Sequence, residues 1–426
     1  LRSVDAGRSL KQREAAMDHS ADHLPIWGHA PVTAHSPELA ALLAFIGEGA
    51  SERDRERSLP FAVIDAVRRA RLGALRVEAQ AGGGGATNRE LFETVIRLGD
   101  ADPNVAHILR NHFTFVERFV RGQTALKNEK WRRAVAEGAI FGLAYGELDQ
   151  ARVGSKEANT VLTPEGEGYR LSGTKYYSTG TLYSDYVLVR AKLPSGELAS
   201  AIIPSTRTGV EIIDDWDGFG QKLTGSGTTI LRDVRVEAEE VVPDTEGHFF
   251  TQPYTGPVPQ LLLTAINAGI LRAILRDAGA LVRRRERSYS HATTERPADD
   301  PILQVIVGQI ACNAFAAGST VLAAADSLDR LDRARAGDDQ AAADAAAHEA
   351  SLQTSQAKVV VDELAIRSAG LLLDVGGASA TKQSANLDRH WRNARTLASH
   401  NPGSYKARAI GDHVINGTPL PANGFF

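Results

Sequence analysis

From about Ser36 to Tyr145, apolar residues recur at threes and fours, the period of helices that bury one face. Leu39, Leu42, Leu43 and Ile46 form one stripe, and Phe61, Ile64, Ala66, Val67 and Ala70 another. The run Gly82-Gly83-Gly84-Gly85 interrupts the pattern. No strand precedes it and no Gly-Lys-Ser/Thr follows, so it reads as a linker rather than a phosphate loop.

Between about Gly146 and Pro253 the period changes. Tyr169 to Ser178 alternates, Tyr186 to Leu193 and Ser200 to Pro204 are largely apolar, and Val210 to Ile213 and Thr228 to Val236 carry branched residues. Turn dipeptides separate these runs at the spacing of an antiparallel barrel or sandwich. Helical periodicity then returns, in Leu261 to Arg287, Ile302 to Arg335 and Gln340 to Leu373. Ala-Gly-Asp-Asp at 336–339 makes the last two antiparallel neighbours, and Ala385 to Leu397 completes a four-helix bundle. The expected fold class is α+β. Residues 1–16 form an extension or arm, 17–145 a helical domain, 146–255 a β domain, and 256–426 the bundle and tail. This order excludes a doubly wound sheet or a TIM barrel, which need alternating strands and helices.

Composition narrows the function classes. The 48 Lys and Arg nearly balance the 52 Asp and Glu, for a net charge of −4, so no basic field gathers nucleic acid or anionic lipid. One cysteine, Cys312, cannot form an internal disulfide or a multi-thiolate metal site. The segment before Met17 has no signal-peptide core, and no run of ~18 uninterrupted apolar residues occurs, so a cytoplasmic protein without a membrane span is expected. None of the 12 histidines follows a Glu at the Glu-x-x-His spacing, and Rossmann and hydrolase signatures fail. No metal site is expected.

Three dense clusters remain: Lys175 to Gly180 at a strand end, Asp214 to Gln221 with two aromatics among glycines, and Asp388 to Pro402. With Arg53-Asp-Arg-Glu-Arg, Asn111-His-Phe and Asp374-Val-Gly-Gly-Ala-Ser-Ala, they resemble the acyl-CoA dehydrogenase superfamily from about residue 36 onward. The closer likeness is to its oxygenase branch, the dibenzothiophene monooxygenases and sulfur-acquisition oxidoreductases. The resemblance implies an N-terminal helical domain, a central β-barrel or sandwich and a C-terminal four-helix bundle.

It also implies an activity. Where many dehydrogenases of this superfamily carry a catalytic Glu, alignment of Arg392-Asn-Ala-Arg395 places Asn401, which has no basicity at neutral pH. The oxygenase reading is a two-component monooxygenase. Reduced FMN from a separate NAD(P)H:flavin reductase meets O₂, and a C4a-hydroperoxyflavin oxygenates a small organosulfur or aromatic substrate. FAD is the alternative cofactor. The alternative functions are α,β-oxidation of an acyl thioester and a non-catalytic flavin-binding role.

By the same resemblance, His112, Ser178, His400 and Asn401 are the catalytic residues, with Ser178 near flavin N5 and the two histidines handling protons. Tyr145, Tyr177, Ser178, Thr179 and Trp216 would hold the flavin, Arg287 its phosphate, and Gly376 and Gly377 the phosphate side across a subunit boundary. Phe113, Phe115 and Trp216 would line the substrate pocket, and a homotetramer is implied. Leu143 and Gly146 depart from the pattern, standing where relatives carry polar flavin contacts. The near-neutral net charge is compatible with an uncharged substrate.

Overall fold

The computed structural model describes residues 30–121, 129–149, 158–244, 256–422 and 426; the expected arm at 1–16 lies outside them. Among the described residues six helices come first: α1 (Pro37–Gly47), α2 (Ala50–Glu56), α3 (Phe61–Arg69), α4 (Asn88–Ala101), α5 (Pro103–Phe115) and α6 (Glu129–Ala136). Their starts are written locally. Ser36 caps α1 ahead of Pro37, Thr87 and Glu90 form a capping box on α4, and Asp102 accepts from Asn104 N–H ahead of Pro103 on α5. Each device satisfies donors that a helix start leaves unbonded.

The strands are β1 (Phe141–Ala144), β2 (Val161–Glu165), β3 (Gly168–Lys175), β4 (Tyr186–Lys192), β5 (Leu198–Pro204), β6 (Val210–Ile213), β7 (Thr228–Val236) and β8 (Val241–Pro243). They form one sheet in the order β6-β7-β3-β2-β4-β5-β8, with β1 beside β4. The sheet is mixed. Antiparallel pairs dominate, but β1 runs parallel to β4 from Phe141↔Tyr186 to Ala144↔Val189, and β2 meets β4 in parallel at Val161↔Lys192. Parallel pairing depends on how the chain crosses over, which strand periodicity does not encode.

Five helices follow: α7 (Pro257–Arg284), α8 (Pro301–Arg335), α9 (Gln340–Gly376), α10 (Arg389–Ser399) and α11 (Gly403–Asn416). The largest core joins the first helices to these: Leu39, Ile64, Leu91 and Leu98 pack in one cluster with Leu262, Ile266, Val321, Val361 and Leu397. α7 and α8 are each long and apolar enough to cross a membrane, yet 83% of the most apolar stretch of α7 is buried within the protein, as in a core helix. On α8 only 22% is buried, and Ile302, Val305 and Phe315 lie exposed.

The four glycines at 82–85 do not present a free cradle. Gly83, Gly84 and Gly85 donate their N–H groups to Glu78, Ala74 and Val77 carbonyls at 3.1, 3.0 and 2.8 Å. A Cβ on Gly83 would meet the Val77 oxygen at 2.2 Å, so the run is a tight turn that tolerates no side chain.

Candidate active site

Apart from His112, the polar residues of helix α5 lie along one line. His107, Arg110, Asn111 and Thr114 recur at three- and four-residue spacing and therefore share a face. Asn111 donates to the Thr179 carbonyl at 2.8 Å, which sets this face against the strand end after β3. His107 Nδ1 lies 3.1 Å from Gln221 Oε1, which sets it also against the loop between β6 and β7. With Nδ1 donating to that oxygen, the His107 Nε2 carries a lone pair, and it is buried with no hydrogen-bond partner.

That loop is pinned from three sides. Gln221 N–H donates to Asn393 Oδ1 at 2.6 Å, Leu223 N–H to Asn104 Oδ1 at 3.2 Å, and the Tyr183 hydroxyl to Leu223 O at 2.6 Å. A Cβ on Gly220 would stand 2.1 Å from the Arg392 carbonyl, so only glycine lets the loop approach α10. Arg392 is held by buried Asp54 at 2.8 Å, and Arg53 by Asp102 at 2.9 Å. The Arg-Asp-Arg motif of α2 is thus a scaffold for α10 and the loop. Gln221 takes φ of +53°, a left-handed conformation costly for a residue with a Cβ and held by these contacts.

At the strand end, Tyr177, Ser178, Thr179 and Trp216 come together. Ser178 N–H donates to Gly227 O at 3.0 Å, and its hydroxyl is buried with no partner. Thr179 Oγ1 and Thr224 Oγ1 each lie 2.7 Å from Ser226 Oγ, forming a hydroxyl chain. Tyr177 and Trp216 meet edge to face at 5.6 Å, and the indole N–H donates to Gly220 O at 3.1 Å. An aromatic wall beside an unbonded buried hydroxyl fits a planar, heteroatom-bearing ring such as a flavin.

His400 caps the C-terminal end of α10, with half-buried Asn401 next to it. Its imidazole reaches solvent, yet surrounding protein makes desolvation the leading cause of a pKa well below the usual histidine value, followed by the charges of Arg110, His107 and Lys358. His107 is pushed down to about 3, first by burial and then by Arg110. Burial, and next the charge of Arg118, brings Arg110 down to about 10, so it stays a cation at neutral pH.

Several expected residues lie elsewhere. His112 is fully buried with both ring nitrogens engaged: Phe141 N–H donates to Nδ1 at 3.1 Å, and Nε2 lies 3.0 Å from Gly73 O. It ties α5 to β1 and has no nitrogen left for a substrate; the histidine whose charge acts on His400 is His107. Phe113 is buried in the helical core, and Phe115 stacks on Phe141 at 4.0 Å and Phe119 at 5.3 Å, so neither lines a pocket. Both point off the polar face of α5. The Tyr145 phenol hydrogen-bonds Arg118 and is raised to about 12, chiefly by burial. Leu143 belongs to the aromatic core cluster, while a Cβ on Gly146 would come within 2.7 Å of Tyr176 O; packing explains both departures.

Arg287 is exposed beyond α7, beside Arg285, which donates to Val375 O at 3.3 Å, near Gly376 and Gly377. Arg110, by contrast, donates to Pro259 O at the other end of α7. That helix has 28 residues, about 42 Å at ~1.5 Å per residue. Within one chain, Arg287, Gly376 and Gly377 are therefore remote from His107 and Ser178.

His107, Arg110 and Gln221 were not among the residues expected from the sequence. The polar line along α5 was the legible signal for the first two; the Asp214 to Gln221 cluster marked the segment of the third but not the role of Gln221 itself.

Residues 261–404 match the family model described as acyl-CoA dehydrogenase, C-terminal domain. A dibenzothiophene monooxygenase of Mycolicibacterium goodii is 28% identical over 87% of this chain and 91% of its own length. A probable FMNH2-dependent monooxygenase, SfnC, of Pseudomonas putida is 28% identical over 93% and 97%. Among solved structures, the methanesulfinate monooxygenase MsuC of Pseudomonas fluorescens superposes with a TM-score of 0.82 at 27% identity, covering 92% of this chain and all of that one.

Proposed function

We propose that this chain, a member of the acyl-CoA dehydrogenase superfamily in its flavin-dependent oxygenase branch, is itself an FMNH2-dependent monooxygenase acting on a small organosulfur substrate. One observation carries the choice over dehydrogenation. Beside His400 at the end of α10 stands Asn401, an amide with no basicity at neutral pH to remove a proton α to a thioester.

Bound reduced FMN and O₂ supply the oxidising chemistry; the chain supplies the setting. The Ser178 hydroxyl offers a hydrogen bond to the flavin ring edge, while Tyr177 and Trp216 wall the ring and exclude water. Gln221 orients His107 so that Nε2 is free to take and return a proton, and His400, whose titration the charge of His107 affects, is the second proton-handling group. With no nicotinamide-binding motif in the chain, a separate NAD(P)H:flavin reductase delivers the reduced FMN. Arg287, Gly376 and Gly377 serve the phosphate side of a flavin in a neighbouring copy, which the distance along α7 favours, and the exposed apolar face of α8 supports a homo-oligomer, expected as a tetramer.

The test pairs the purified protein with a flavin reductase and an organosulfur panel under isotopically labelled O₂. One labelled oxygen atom should enter the product. Bleaching of bound flavin by an acyl-CoA under anaerobic conditions, without labelled product, would replace this reading by the dehydrogenase one.

A further inference from the structure

We propose that Arg110 recognises an oxyanion on the substrate, and that this substrate is a small organosulfur anion of the sulfinate class. The inference rests on the monooxygenase reading and narrows its substrate.

Arg110 is half-buried, and its bonds go to uncharged acceptors: Nε to Pro259 O at 3.3 Å and Nη1 to Asn111 Oδ1 at 2.9 Å. Among the described residues it forms no ion pair, and Nη2 has no hydrogen-bond partner. Three other arginines withdrawn from water meet carboxylates. Arg53 meets Asp102 at 2.9 Å, Arg76 meets Glu117 at 2.7 Å, and Arg207 meets Glu240 at 2.8 Å. A guanidinium removed from water without a counterion is costly, and an arriving oxyanion, held by charge-assisted hydrogen bonds, offsets that cost.

Position selects the kind of anion. Arg110 lies one helical turn from His107, with ~5–6 Å between such Cβ atoms. Asn111 ties the same turn to Thr179, next to Ser178. An anion paired with Arg110 therefore sits beside the proton-handling histidine, where the reacting atom must also lie. A sulfinate carries its charge and its oxidisable sulfur in one group. A thioether bearing a distant carboxylate would put its sulfur away from His107 once the charge was paired. Conversion to the sulfonate adds one oxygen atom of O₂ to sulfur, and the other leaves as water with two electrons and two protons from reduced flavin. The balanced net charge of the chain does not oppose this, because recognition depends on the local cation.

The test measures binding and turnover separately. Oxidised-FMN-loaded protein is titrated with methanesulfinate, ethanesulfinate and the neutral dimethyl sulfide, following flavin fluorescence and heat. The wild type should bind the sulfinates saturably and dimethyl sulfide at least about tenfold more weakly; Arg110→Gln should lose about 100-fold for the sulfinates, and Arg110→Lys less. FMN affinity should stay within about threefold in both variants, which also reports that they are folded. Equal binding of neutral and anionic probes by the wild type would overturn the proposal. So would an Arg110→Gln variant that loses FMN while keeping its sulfinate preference, which would assign Arg110 to the flavin phosphate. In the turnover arm, sulfonate formed with reductase and O₂ supports the proposal. Turnover of neutral sulfides alone overturns it with the monooxygenase intact. Absence of turnover with every probe would sink the monooxygenase reading, while the binding arm still decides the role of Arg110.

Discussion

His107 Nδ1 and Gln221 Oε1 meet at 3.1 Å across 114 residues of chain, and the contact leaves His107 Nε2 unbonded. The neighbouring His112 has the opposite arrangement, with both nitrogens bonded to backbone. The two histidines should therefore separate in function. His107→Gln is expected to lower kcat by about 10²–10⁴-fold with little change in Tm. His112→Ala leaves a buried N–H and a buried carbonyl unsatisfied, and is expected to cost about 2–4 kcal/mol of stability with FMN affinity unchanged. Steady-state rates and denaturant midpoints for both variants check the assignment.

Ser178 gives a cofactor test with little structural background. Its hydroxyl bonds nothing among the described residues, so Ser178→Ala should leave the melting temperature within a degree or two. If the hydroxyl serves the flavin, FMN affinity should fall about fivefold, the value of one hydrogen bond near ~1 kcal/mol. Calorimetric titration reads the difference directly.

Acid should destabilise the fold steeply. Burial holds His107 at about 3, and His112 and His390 at about 4, all below the ordinary 6.5. Unfolded imidazoles take up protons as pH falls through 6.5, while the folded ones do so only near 3 to 4. Their contribution is thus fully present above about pH 6.5 and is lost as pH falls toward those values. Three protons at ~1.36 kcal/mol each give a slope of up to about 4 kcal/mol per pH unit. Glu147, held down at about 2 by Lys175, Thr160 and backbone donors against the opposing effect of burial, adds a further loss below pH 4.5. Urea midpoints at pH 7, 6 and 5 should trace this decline, and His112→Gln should flatten it by about a third.

The proposed phosphate site, shared between copies, would link assembly to cofactor binding. Phe315 on α8 is 76% exposed in the single chain. Phe315→Glu should dissociate the oligomer in sedimentation and weaken FMN binding about tenfold, because Arg287 of one copy then no longer reaches the flavin of another. An unchanged FMN affinity in a dissociated variant would confine the flavin site to one chain.

The periodicity of Leu39 to Ile46, the alternation of Tyr169 to Ser178 and the caps at Ser36, Thr87 and Asp102 are local properties, so the order of helices, sheet and helices was legible in the sequence alone. The strand-end group at Tyr177, Ser178 and Thr179 was legible too, since three successive residues carry its chemistry. Choosing His107 over His112 was not. Five residues apart on one helix, they differ by a rotation of more than a turn, and only the packing of α5 against β1 and the Gln221 loop shows which keeps an unbonded ring nitrogen. Phe113 and Phe115 went to the core for the same reason. The uncompensated charge of Arg110 is likewise a property of the fold, because a missing counterion shows only when distant segments have come together. The sequence by itself determined the elements and the types of residue available. Tertiary structure decided which of them come together, because burial and facing direction arise from contacts between segments remote in the chain.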